Sequence, residues 1–256
     1  MRRLPVALAL AAPFACFAQI PAPDLVLLGA SLRLRPAYDG SASQRAEPVP
    51  VVRYYGRPWF ARTTQGILEG GARYEPIPSL ALGVQIAYES GRSTAESEFL
   101  RQHDLPDIRP GASYGLHVEW DSRIGPMPVT LLLRGRQHSD AARGAQADLR
   151  ASAGVYRDGG FIAAVFAQET WANAKAAQSF YGVTPQQGAA SGLQPFDAGS
   201  GALFTSVGLL WSADVGRDWM AVGSFERREL RGDAARSPLA ERSWNFYAGA
   251  GITYRF

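Results

Sequence analysis

The sequence of 256 residues has one cysteine, Cys16, only three histidines, and no long apolar run after its first eighteen residues. Each shortage excludes a class of protein. Residues 1–18 open with Arg2 and Arg3, run apolar from Leu4 to Phe17, and offer Cys16 and Ala18 as small residues before a cut. That layout is a secretory signal peptide, with cleavage expected after Ala18. Its apolar run is too short for a good spanning helix, and Pro13 stands where a lipoprotein signal needs a leucine. Cleavage would leave a mature chain of residues 19–256 without a thiol, which excludes disulfides, cysteine redox chemistry and thiolate metal sites. It would also remove two of the 26 basic residues against 23 acidic ones, so the sequence pI near 9.2 overstates a nearly balanced charge. Nucleic acid is not an expected partner. Beyond the leader no stretch approaches the roughly 20 apolar residues of a transmembrane helix. If the chain crosses a membrane, it does so as strands, and a mean hydropathy of −0.12 suits strands that face lipid at every second residue.

What is present is alternation of period two. From Leu80 to Tyr88, one face carries Leu80, Leu82, Val84, Ile86 and Tyr88 while the other carries Ala81, Gly83, Gln85, Ala87 and Glu89. Similar alternation runs over 114–120, 147–155 and 203–211, with Thr205 the weak point of the last. The final stretch is the clearest, with Trp244, Phe246, Ala248, Ala250, Ile252, Tyr254 and Phe256 sharing one face. A terminal phenylalanine behind such a row resembles the signal that the barrel-assembly machinery reads, which assigns Tyr254 and Phe256 to assembly.

Turn signals stand at Gly56-Arg57-Pro58, Glu75-Pro76-Ile77-Pro78, Gly125-Pro126-Met127-Pro128, Arg157-Asp158-Gly159-Gly160 and Asp214-Val215-Gly216-Arg217. Longer polar segments lie between them, near 37–48, 92–110, 138–145, 172–200 and 231–243. Short periplasmic turns alternating with long outer loops are the habit of outer-membrane barrels. With a periplasmic N-terminus, the segment Pro58 to Pro76 must rise and return through a hairpin near Thr63 to Gly66. The expectation is an all-β, antiparallel up-and-down transmembrane barrel of twelve strands, or ten if that segment does not span. Aromatics at the strand ends (Tyr54, Tyr55, Trp59, Tyr74, Tyr88, Trp120, Trp171, Trp211, Trp219, Trp244 and Phe256) fit interfacial girdles. A soluble β-sandwich would share the strand spacing, but it would not place glycine, alanine and serine between charges on the polar faces.

Candidate chemistry is sparse. His117 shares an inward face with Ser113, Glu119 and Asp121, which superficially supplies a nucleophile, base and orienter, yet no second strand can be shown to converge there. His138 and Ser139 would point to opposite faces, and the loop QHDLPD around His103 and Asp104 has no metal-site spacing. Neither a catalytic set nor a cofactor or metal is expected. Glu89, His117, Glu119, Asp121, Arg134, Arg136, Asp148, Arg150 and Arg255 are the candidate lumen residues, either lining a narrow solute path or pairing across the barrel. The loop FYGVTPQQGAASG lacks the lysine and helix context of a phosphate-binding loop. It reads as an ordered outer loop whose Phe180 and Tyr181 could pack over the barrel mouth.

From about Leu27 to Phe256 the chain resembles the family of MltA-interacting protein and OmpV. The resemblance is carried by PAYDGS (36–41), YESGR (88–92), SFYGVTPQQGAASGL (179–193), LRGDAARSPL (230–239) and the closing YRF. Its motif-loop residues here are Phe180, Tyr181, Gly182, Ser191, Gly192, Gly232, Asp233, Ser237 and Pro238. The resemblance implies a barrel in the outer membrane of a Gram-negative bacterium, with no catalytic residues. It also implies a scaffold that joins a lytic transglycosylase to a penicillin-binding protein during peptidoglycan growth. Other members are described as porin-like or as adhesins, so a narrow channel and adhesion through the outer loops stand as alternatives.

Overall fold

The computed structural model describes residues 26–256, so the expected leader and cleavage point lie outside the described residues. Twelve strands follow in chain order: β1 (Leu27–Pro36), β2 (Gln44–Tyr55), β3 (Trp59–Thr64), β4 (Ile67–Ile77), β5 (Leu80–Glu89), β6 (Gly111–Ile124), β7 (Met127–His138), β8 (Ala145–Asp158), β9 (Phe161–Ala172), β10 (Gly201–Asp214), β11 (Trp219–Leu230) and β12 (Trp244–Arg255). Each pairs antiparallel with its sequence neighbours, and β12 returns to β1 to close the barrel. Closure satisfies the backbone donors and acceptors that lipid cannot. Alternation decides which face each residue takes. On β5, Leu82, Val84, Ile86 and Tyr88 are exposed outward, whereas Ala81, Gln85 and Ala87 are buried inward.

One barrel end has only short turns, as at Gly159-Gly160 and Gly125-Pro126, which marks it as periplasmic. Glu75-Pro76-Ile77 does not turn as expected. β4 continues to Ile77, with Pro76 at a register shift where its missing N–H interrupts no regular ladder. The first outer loop is also shorter than expected, because 44–48 belong to β2. Two outward-facing assignments change. Leu203 sits at a register shift between Ala202 and Phe204 and is buried beneath the loops. Tyr55 turns inward, where Arg53 and Arg73 cover its ring and its hydroxyl meets Arg62.

The 58–76 segment does rise and return. β3 has only six residues, whereas β4 is of full length. They are joined at Gln65 and Gly66, both at positive φ, as a tight two-residue hairpin requires. The short β3 leaves a seam. Only Arg53, Tyr54 and Tyr55 of β2 pair with it, against Arg62, Ala61 and Phe60. The Thr63 hydroxyl extends the seal by one step, accepting from the Val52 N–H at 3.3 Å and donating to the Pro50 carbonyl at 2.7 Å. From Gln44 to Val49, β2 pairs with β1 and, among the described residues, with no strand on its other side.

The outer end carries folded loops. α1 (Glu98–Gln102), α2 (Ala174–Tyr181), α3 (Pro185–Ser191) and α4 (Gly232–Arg236) are short helices. α3 forms because Thr184 and Gln187 make a reciprocal capping box, Pro185 fits the first turn, and Gly192 ends it at φ +74°. Ala176, Ala177, Tyr181, Leu203, Phe204 and Ala234 form one apolar core under these loops. Ala37, Tyr38, Leu100, Leu105, Val183 and Leu239 form a second.

Candidate functional site

Inside the lumen a chain of ion pairs joins six consecutive strands, β3 to β8. Arg62 of β3 bonds Glu69 of β4 at 2.5 Å and Glu119 of β6 at 2.7 Å. Arg134 of β7 also reaches Glu69, at 3.2 Å, and Asp148 of β8 at 2.5 Å. Arg136 continues to Glu89 of β5 at 3.3 Å and to Asp148 at 3.7 Å. Glu69, Arg134 and Asp148 are each no more than 1% exposed. Such burial is sustained only because every charge faces an opposite one with hydrogen bonds. Small residues make room: a Cβ on Gly83 would lie 2.3 Å from the His117 ring, which stands edge-on to Phe60.

Above this layer lies a chamber of about 170 Å³ beneath the loops. Arg33, Arg35, Arg92, Arg134, Arg136 and Arg228 line it together with two acids, Asp39 and Glu89. Asp39 descends from the first loop to Arg228 at 2.8 Å and to the Tyr247 hydroxyl. Arg228 also holds Glu226 at 2.9 Å and lies over the Phe204 ring. Arg92 stands apart: it stacks near Tyr38 and donates to the Phe180 carbonyl at 2.9 Å, but its Nε has no hydrogen-bond partner among the described residues. Burial pushes the Arg92 guanidinium below its ordinary range. Burial, with Asp39 nearby, pushes the Tyr181 phenol well up.

The structure thus brings Glu89, Glu119, Arg134, Arg136 and Asp148 into one network. His117 lies beside it, while Arg150 packs over Phe166 and Asp121 accepts from Thr130 at 2.6 Å nearer the periplasmic end. Arg255 differs in place, sitting at the periplasmic rim against Asp214. Neither Ser113 Oγ nor His117 Nδ1 has a hydrogen-bond partner among the described residues, so no serine–histidine relay is assembled. His103 Nδ1 lies 2.8 Å from the Phe99 carbonyl, and the His138 ring accepts from the Asp140 N–H at 3.0 Å. No cluster of three metal-ligating side chains occurs among the described residues.

Sequence reasoning missed Arg62 and Glu69 because their segment looked too short to span. It also missed Arg33, Arg35, Glu226 and Arg228. Their inward parity beside Leu32, Leu34 and Phe225 was the available signal.

The motif-loop residues act on one another. The Ser237 hydroxyl donates to the Tyr181 carbonyl at 2.6 Å and accepts from the Leu239 N–H. Asp233 accepts from the Gly199 N–H at 2.7 Å, joining the 173–200 loop to α4. Phe180 lies over the chamber with Arg143 against its ring, and Gly182 ends α2. Ser191 receives the Leu193 N–H, Gly232 opens α4 at φ +51°, and Pro238 is half-buried beside Leu239.

A closed twelve-stranded antiparallel barrel with an apolar outer belt and a charged lumen defines an outer-membrane β-barrel protein. Residues 28–256 match the family described as MltA-interacting protein MipA, and the chain belongs to that family. No curated protein matches the sequence. Among solved structures, the fold is similar to the NanC porin, with TM-score 0.51 and 9% identity over 90% of this chain and all of that one. It is similar also to an outer-membrane channel from Pseudomonas putida, with TM-score 0.51 and 9% identity over 91% of this chain and 96% of that one. At such identities the likeness concerns the fold alone.

Proposed function

We propose that the protein is a non-enzymatic scaffold of the outer membrane that engages a lytic transglycosylase, and with it a penicillin-binding protein, at the periplasmic face. The observation that carries this reading is membership of a family described by its interaction with MltA. The buried Glu69–Arg134–Asp148 cluster supports it, because inward side chains with almost no accessible surface suit an anchor better than a conduit. The partner surface would comprise the periplasmic turns at 56–58, 78–79, 125–126, 159–160 and 215–218, together with the segment 19–24. Export with cleavage after Ala18, and assembly through Tyr254 and Phe256, belong to the same proposal.

Photo-crosslinking groups placed at Arg57, Pro78 and Arg217 in intact cells should capture a lytic transglycosylase. Recovery of none, under conditions that capture other known envelope partners, would reject the scaffold. A second reading, a narrow anion path, draws on the arginine-lined chamber. It requires reproducible single-channel steps in planar bilayers that change with Arg134→Ala or Glu119→Ala. Correctly folded protein that stays electrically silent would remove it.

A further inference from the structure

The unpaired flank of β2 opens into a cavity of about 610 Å³ in the barrel wall. Its inner edge is β2 from Arg45 to Pro50, its floor is the β3–β4 hairpin at Gly66 and Leu68, and its far edge is the end of β5 at Tyr88. Its roof is the 90–110 loop, tied across the top by an ion pair between Arg45 and Glu96 and by the Glu98 N–H to Ser43 at 3.4 Å. The opening lies at the depth of the apolar belt, since Leu32 and Leu34, register partners of Pro48 and Ala46, are exposed on the outer surface.

The backbone at this edge is adapted to lipid. The Val52 N–H and the Pro50 carbonyl both face the β3 side, so the even-numbered residues of β2 direct their backbone polar groups towards the gap. Two of these positions, 48 and 50, are prolines, which present no N–H to be left unpaired in hydrocarbon. The gap adjoins the arginine-lined chamber, and Arg35, Gly66, Ser90, Gly91 and Arg92 line both spaces.

Charge on the roof identifies the occupant. Glu47 and Glu96 are engaged by Arg35 and Arg45, and Asp107 receives the Thr94 N–H at 2.6 Å. Arg92 and Arg109 have no ion-pair partner among the described residues, both line the gap, and the backbone bridge between Arg92 and Ile108 holds this part of the roof in place. We propose that this lateral gap binds an anionic phospholipid from the surrounding membrane, its phosphate directed at Arg92 and Arg109 and its chains remaining outside along Pro48, Leu68 and Tyr88. Guanidinium groups with free donors recognise phosphate strongly, and the belt-depth mouth admits a ligand that arrives from the bilayer. The inference stands independently of the scaffold reading.

The full-length mature protein, reconstituted in nanodiscs of phosphatidylethanolamine with a minority of phosphatidylglycerol, should retain phosphatidylglycerol on transfer to detergent. The expected enrichment over the bulk lipid ratio, read by mass spectrometry, is about fivefold. Arg109→Gln and the Arg92→Gln/Arg109→Gln pair should return the ratio towards bulk. Ser90→Trp, at an exposed position lining both spaces, should do so by obstruction with no charge removed, and it keeps the test valid if the pair variant fails to fold. Soluble glycerol phosphate should not displace the lipid; displacement would mean a free-phosphate site and overturn the membrane source. A bulk ratio in the unsubstituted protein would overturn the proposal, as would enrichment indifferent to Ser90→Trp and Arg109→Gln in folded barrels.

Discussion

The wall where β9 meets β10 and the wall where β2 meets β3 obey the same alternation, yet they seal differently. The first pairs from Ala172↔Gly201 down to Phe161↔Ala213, with one register shift. The second pairs at three residues and hands the next step to a threonine hydroxyl. The difference teaches that barrel closure and wall continuity are separate properties. A strand of six residues suffices to keep the cyclic order, but it leaves half of its neighbour's flank to be managed by proline, by a loop and by side chains. Where the wall is thinnest the lumen compensates, because Arg62 of the short β3 and Glu69 of β4 enter the ion network that ties them to β6, β7 and β8.

The largest effect should come from that network. Arg134→Ala leaves Glu69 to Arg62 alone and Asp148 to Arg136 at 3.7 Å, an excess of buried negative charge with an expected loss of about 3–5 kcal/mol, read as a lower denaturant midpoint in lipid bilayers. If the loss is under about 1 kcal/mol, the value of a surface pair, the network does not brace the wall. Next comes the seam itself. Thr63→Val removes the hydroxyl that meets Val52 and Pro50, at a cost of about 1–3 kcal/mol for the unsatisfied backbone groups. Hydrogen exchange should then rise at Val52 but not along β9–β10; equal exchange in both walls would contradict the difference drawn between them. Ser237→Ala should cost about 1 kcal/mol and speed proteolysis of the 173–200 loop while the strands stay protected. Smallest in stability is Phe256→Ala, at a residue 69% exposed. It should lower the inserted fraction in cells yet leave the midpoint of inserted barrels unchanged. Normal insertion would detach Phe256 from assembly.

Much of this fold was legible because a barrel strand writes its two faces at every second residue. β5 and β12 could be read directly, and the parity of long and short connections required the hairpin at Gln65-Gly66. Three things were not legible. Cross-barrel partners such as Glu69 and Arg134 lie 65 residues apart, and no local pattern reports that they meet. Register shifts such as the one at Ala202/Phe204 break the parity from which Leu203 was placed outward. Residues 44–48 read as part of a loop, and only the register reveals that β2 runs on through them past its neighbour and behaves there as an edge, the setting in which proline is tolerated in a strand.

That edge bears on how the barrel resists pairing with strands that are not its own. An exposed strand flank is an invitation to a passing strand, whether from a second copy or from another barrel being folded nearby. Proline at two successive donor positions denies the newcomer two of the N–H groups a ladder needs. The same residues that make the gap tolerable to lipid also keep the barrel from growing a thirteenth strand or zipping to its neighbour.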